Sequence, residues 1–214
     1  MALEYFDVLD CTGKKTNKVI SRDEAHKTGA WHGAFHCLII YEREGRSYAL
    51  FQKRSLDKKI APGKFDVSVG GHYAVGEDAK TAGPREIKEE LGLDVRFEDL
   101  VSLGRRIFVY CSMPGVVEQE FQDVFFLSRA VEPRALALQQ EEVEGVLEMD
   151  VDQGLKFFAG SERHVECSLF RTGISMERVN VSAAEFVPCL DNYYLKLLLL
   201  AKRYFRNDRE FLVI

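Results

Sequence analysis

The stretch GHYAVGEDAKTAGPREIKEELGL, residues 71–93, decides how the rest of the chain is read. Glu86, Glu89 and Glu90 stand at i, i+3 and i+4, which places three carboxylates on one helix face. Like charges at that spacing destabilise a bare helix by roughly 0.2–0.5 kcal/mol per pair. A hard divalent cation reverses that sign, because magnesium takes oxygen ligands and bridges a few carboxylates to substrate phosphates. Ile87 and Leu91 fall on another face and can anchor the helix in a core. Gly92 follows as the favoured helix terminator. Arg85 precedes Glu89 by four residues and can pair with it. Three glutamates alone would favour a solvated acidic face, which is common. The glycines, Glu77 and Arg85 at fixed spacing point to chemistry instead. Pro84 conflicts with a helix that starts at Ala79, since it would lose an internal hydrogen bond and clash with the Lys80 carbonyl at a cost of about 3 kcal/mol. The expectation is a helix that begins later, capped by Thr81, or one kinked at Pro84.

Working outward, Phe65–Val69 reads as a short strand that ends at Gly70-Gly71. Phe35–Tyr41 is an apolar run that fits a buried strand, and Tyr48–Arg54 a second one. Tyr5–Leu9 reads as a strand. Ser21 and Glu24 have capping-box spacing for a short helix. Downstream, strands near Leu103–Cys111 and Val116–Phe126 flank Pro114-Gly115, a pair suited to a type II turn. Val143–Met149 reads as a strand and Asp152–Phe158 as a short helix. Residues 160–185 give no clear pattern. Leu190–Arg206 is a helix whose leucines read as core rather than as a membrane or partner surface. Strands in the middle with helices on either side predict an α/β sandwich over residues 1–214 as one domain.

The 214 residues carry a formal net charge of −5, with 46% hydrophobic and 29% charged residues. That balance offers no electrostatic support for binding nucleic acid or a membrane. The longest pure apolar run, Leu197–Ala201, is far too short to span a bilayer. Met1–Asp10 is acidic and lacks a signal-peptide pattern. Five cysteines, an odd number with no two close in sequence, argue against a disulfide framework or zinc site. A reduced, cytoplasmic protein is expected.

Residues 71–93 match every fixed position of the Nudix box, G-x5-E-x7-R-E-U-x-E-E-x-G-U, where U is a bulky aliphatic, and the chain resembles the Nudix hydrolases. The resemblance implies an α/β/α sandwich with a mixed sheet, in which the box forms a loop-helix-loop, with an N-terminal strand/helix extension and a C-terminal helical extension. It implies magnesium or manganese held by Glu89 and Glu90, with Glu86 as ligand or general base, a backbone carbonyl at Gly70-Gly71, and Arg85 orienting a glutamate. The implied substrate is a small-molecule diphosphate, such as a nucleoside diphosphate linked to another group, and family members are often homodimers. No specificity motif names the substrate. The basic cluster Lys53, Arg54, Lys58 and Lys59 reads as a solvated loop or a phosphate contact.

EYFDVLD, SRDEAH, WHGAFH, LFQKRS and EFVPCL resemble more narrowly the branch that includes isopentenyl diphosphate isomerase. That branch implies a second metal site at His26, His32, His72, Glu118 and Glu120. Glu118 and Glu120 lie two apart and so face the same side of a strand. His36 and His164 match no role. The isomerase cysteine falls at Gly70 here, and the box is complete where isomerase boxes are degenerate. Both departures point from isomerisation toward hydrolysis. The isomerase and a non-catalytic ligand-binding module stay as alternatives.

Overall fold

The computed structural model describes residues 4–214. Met1–Leu3, part of the segment read above for a leader, lie outside the described residues. The chain runs β1 (Tyr5–Leu9), β2 (Lys15–Ser21), α1 (Arg22–Thr28), β3 (His32–Arg43), β4 (Arg46–Arg54), β5 (Phe65–Val67), β6 (Val69–His72), α2 (Ala79–Leu91), β7 (Leu100–Met113), β8 (Val116–Ser128), β9 (Val143–Asp150), α3 (Val151–Phe158), β10 (His164–Arg171), β11 (Glu177–Ser182) and α4 (Tyr193–Phe205). β1 and β2 form a small antiparallel pair. The other nine strands form one mixed sheet, ordered β11-β10-β9-β4-β3-β8-β7, with β5 beside β4 and β6 beside β3. Among the described residues, only the β3–β8 strand pair within it is parallel.

β3 is the spine. His32–Tyr41 are all buried, as expected of a strand covered on both faces. Its odd-numbered side chains, Phe35, Cys37 and Ile39, pack with Val69 and with Ile87 and Leu91 of α2. Its even-numbered Leu38 and Ile40 pack with Ala49, Phe51, Leu147 and the Leu197, Leu198 and Ala201 side of α4. Two cores with the sheet between them make the expected α/β/α sandwich. Leu199 is the leucine of α4 that stands out to solvent, at 48% exposure.

The helix of the box corrects the sequence reading. It runs unbroken from Ala79, with Pro84 inside it, and does not start at a Thr81 cap. Asp78 is the N-cap: its carboxylate accepts from the amides of Lys80 and Thr81, and Thr81 Oγ1 accepts from the Asp78 amide. Reciprocal capping satisfies donors that a later start would leave to solvent. Residues 160–185, unreadable before, hold β10 and β11, which extend the sheet beyond β9.

The strand expected at Phe65–Val69 is split at Ser68. The Ser68 hydroxyl accepts from the Ile39 amide at 2.7 Å and donates to the Leu50 carbonyl. It stands where those two strands would otherwise bond each other. Beyond this wedge, β3 exchanges β4 for β6, pairing Cys37 with Val69 and Ala34 with His72.

Candidate active site

Two groups of side chains face one cavity of about 640 Å³. The first comes from α2. Arg85 is its hub, donating to both oxygens of Glu77 at 3.0 and 2.8 Å and reaching Glu86 and Glu89 at 2.9 Å each. Glu77 also accepts from the Ala74 amide at 2.9 Å, which ties the loop before the helix to the helix. Those hydrogen bonds, Arg85 first, hold the Glu77 carboxyl below its ordinary range. Glu90 is buried and Glu89 half exposed. Burial pushes Glu86 up to about 7 and Glu90 up to about 8, each raised further by a neighbouring glutamate. Two nearly dry carboxylates side by side are the donor set a hard cation would neutralise. Gly71 explains the first position of the motif: a Cβ there would sit 2.1 Å from the Glu86 carboxyl carbon. Gln52 and the Gly70 amide donate to the same Glu90 oxygen at 3.3 and 3.4 Å.

The second group assembles His26 from α1, His32 from β3, His72 from β6, and Glu118 and Glu120 from β8. Donor atoms of the three histidines lie within 4.8 Å of one another, as do those of His72, Glu118 and Glu120. The parallel β3–β8 register, His32 opposite Glu120, is what brings them together. Phe6 of β1 stacks on the His32 ring at 4.8 Å. His32 Nδ1 donates to the Ala30 carbonyl at 2.9 Å, so in the neutral ring Nε2 carries the lone pair, on the side of His72 and Glu120. Nε2 of both His26 and His32 is buried with no partner. Buried polar atoms are rarely left unpaired, and neutral imidazole nitrogens beside carboxylates suit a divalent metal. Burial lowers His26 to about 4 and His72 to about 3. Burial and then Glu120 raise Glu118 to about 8. Burial also draws Glu120 upward, but the neighbouring His32 and His72 imidazoles outweigh it and hold Glu120 well below its ordinary value.

The basic cluster divides. Arg54 and Lys58 line the cavity, whereas Lys59 pairs with Asp23 at the surface and Lys53 lies over the Phe65 ring. Sequence reading missed Arg22, Gln52, Arg106 and Gln122. Arg22 and Arg54 each line the cavity and carry a buried Nε without a partner. His36, without a matched role, lines the cavity beside Gly70 and meets the Tyr193 hydroxyl at 3.1 Å. Exposed His164 is remote from it. Ser68, two residues before Gly70, is fully buried and its hydroxyl is consumed by Ile39 and Leu50. Away from the carboxylates the wall turns apolar, with Ile60, Ala61, Phe108, Val187 and Cys189. All five cysteines are free. Among the described residues, no helix is long and apolar enough to cross a membrane.

Residues 30–167 match the family model described as the NUDIX domain. An uncharacterized Nudix hydrolase of Clostridium acetobutylicum is 31% identical over 205 residues, 94% of this chain and 98% of that one. The isopentenyl-diphosphate delta-isomerase of Aliivibrio fischeri is 31% identical over 137 residues, 62% of this chain and 75% of that one. A crystal structure from Deinococcus radiodurans, 20% identical, covers 74% of this chain and 91% of that one with a TM-score of 0.51, a likeness of fold. With residues 71–93 inside the matched region and a relative that spans nearly the whole chain, this protein belongs to the Nudix hydrolase family.

Proposed function

We propose that this chain, acting as one unit over residues 1–214, is a pyrophosphohydrolase that uses magnesium or manganese to cut the diphosphate linkage of a small molecule. The observation that carries this reading is the meeting of Glu86, Glu89 and Glu90 with a histidine-carboxylate cluster around one cavity. Glu89 and Glu90 are the principal ligands of one ion, with the Gly71 carbonyl beside them and Glu86 as a further ligand or as the base that takes the proton of the attacking water. His26, His32, His72, Glu118 and Glu120 hold a second ion. A bound divalent ion supplies water activation and neutralises charge on the phosphoryl oxygens. Arg85 keeps Glu77, Glu86 and Glu89 in register, so the helix face is preorganised. Arg22 and Arg54, with their unpartnered Nε atoms, are placed to take phosphate oxygens. The apolar far wall suits a substrate whose other group is a hydrocarbon better than one that needs many hydrogen bonds.

Isomerisation of isopentenyl diphosphate needs an acid and a base on opposite sides of one carbon framework. Glu118 and Glu120 could serve one side. Gly70 stands on the other, and the nearby Ser68 hydroxyl is buried in the sheet. Phosphate release should be measured, with magnesium or manganese, from nucleoside diphosphate derivatives, nucleotide sugars, dinucleotides and prenyl diphosphates. Metal-dependent release from at least one class, with no dimethylallyl product from isopentenyl diphosphate, is the expected result. Sustained isomerisation abolished by Glu120→Gln would overturn the reading.

A further inference from the structure

Arg106 is a buried guanidinium that the motifs leave unexplained. It lies on β7, with its charge centre 3.8 Å from the Tyr193 ring centroid and 4.8 Å from that of Phe108. Its Nε and Nη2 donate to the two oxygens of Asp191 at 2.8 Å each. Its Nη1 donates to Gln122 Oε1 at 2.7 Å. The Gln122 amide, itself buried, then donates through Nε2 to Glu120 Oε2 at 2.6 Å. The remaining Glu120 oxygen, Oε1, lies 3.1 Å from His72 Nε2 and 3.7 Å from His32 Nε2.

This arrangement has one consistent polarity. A guanidinium can only donate and an ionised carboxylate can only accept. Between them, the Gln122 amide must turn its oxygen to Arg106 and its NH₂ to Glu120. Turned the other way, it would set oxygen against oxygen and NH₂ against guanidinium, at buried positions where such clashes are costly. The charge of Arg106 therefore decides the orientation of the amide. The amide in turn pins one oxygen of Glu120 and presents the other to the imidazoles. Asp191 neutralises Arg106 with a bidentate pair, the geometry in which arginine cannot be exchanged for lysine.

We propose that Arg106, clamped by Asp191 from the C-terminal segment, is a positioning residue that sets the Glu120 carboxylate against His32 and His72 through Gln122. Asp191 lies beyond residues 30–167, the region that matches the family, so the segment ahead of α4 completes the site. Tyr193, the first residue of α4, holds His36 on the cavity wall. The inference rests on the reading of the histidine-carboxylate cluster as a metal site.

The experiment is a cobalt(II) titration followed by visible absorption, with thermal melting of each variant alongside. Wild type should show a band that His32→Ala abolishes. Gln122→Leu, Arg106→Lys and Asp191→Asn should each weaken that site by about 10–100-fold and change the band, as loss of an outer hydrogen-bonding partner does. Asp191→Glu should restore much of the affinity, and cobalt bound by the α2 glutamates should be unaffected in all of them. Folded Gln122→Leu and Arg106→Lys proteins with wild-type affinity and spectrum would overturn the relay. Should Arg106→Lys fail to fold, Asp191→Asn at its partly exposed position decides the same question. A wild type with no band sensitive to His32→Ala would overturn the metal-site reading itself, and this inference with it.

Discussion

The two halves of the cavity solve one problem in opposite ways. The carboxylates of α2 come from a single turn of helix, and Arg85 beside them supplies the opposing charge. The histidine cluster draws on four elements and relies on burial and on β3–β8 pairing. A helix face fixes its spacing by geometry at the cost of like-charge repulsion. A cluster gathered from several strands avoids that repulsion, but each ligand depends on packing elsewhere.

If the helix face carries the chemistry, its loss should be the most damaging. Glu89→Gln and Glu90→Gln are each expected to cut turnover by about a hundredfold or more while thermal melting shows a folded protein. Wild-type turnover in either would remove these residues from the mechanism. The histidine side should be less absolute, with His32→Ala costing about tenfold in kcat/KM. A loss as large as that of Glu90→Gln would mean that the two groups work as one unit. Adjacent glycines sharpen the contrast further. A methyl at Gly71 must displace Glu86, whereas one at Gly70 would stand 3.4 Å from the His36 ring. Gly71→Ala should therefore lower turnover about tenfold or more, and Gly70→Ala less than about threefold, in the same steady-state assay.

The smallest effect concerns pH. Glu86, Glu90 and Glu118 rise from 4.5 to about 7, 8 and 8, so the folded, metal-free protein holds protons that the unfolded chain releases. Stability from that source is present at low pH and is lost as pH climbs through 7 to 8. His26 and His72 fall from 6.5 to about 4 and 3, so their contribution is complete above pH 6.5 and is lost as pH drops. Between pH 6.5 and 8 only the glutamates slope. Melting temperature in a chelator should fall across that window, and magnesium or manganese should flatten it. A rising curve in the chelator would show that the carboxylates are ionised without metal.

The helix-face site was legible because 23 consecutive residues contain it and helical periodicity orders them. The second set of ligands came from resemblance, since no local rule joins His26 to Glu118. Arg106 was invisible for the same reason: its partners lie 16 and 85 residues away. Helix α2 starts ahead of the Thr81 cap that Pro84 suggests, because Thr81 supports Asp78 from inside the first turn. β2, KTNKVIS, is mostly exposed and polar and pairs only with β1, so hydropathy gives it no signature. β10 does show one. Val165, Cys167 and Leu169 alternate inward, but the irregular residues that follow obscure that rhythm.

The Ser68 hydroxyl lets one strand take two partners on the same edge. An uninterrupted β3–β4 ladder would leave β6 no edge of β3 to pair with. By taking the Ile39 amide and the Leu50 carbonyl, one side chain frees the start of β3 to pair with β6 instead. That hand-over carries Gly70, Gly71 and His72 in one short strand, with Gly70 and Gly71 against the glutamates of α2 and His72 against Glu120. The four residues of β6 thus touch both groups of the cavity, and the architecture owes their placement to a serine with no chemistry of its own.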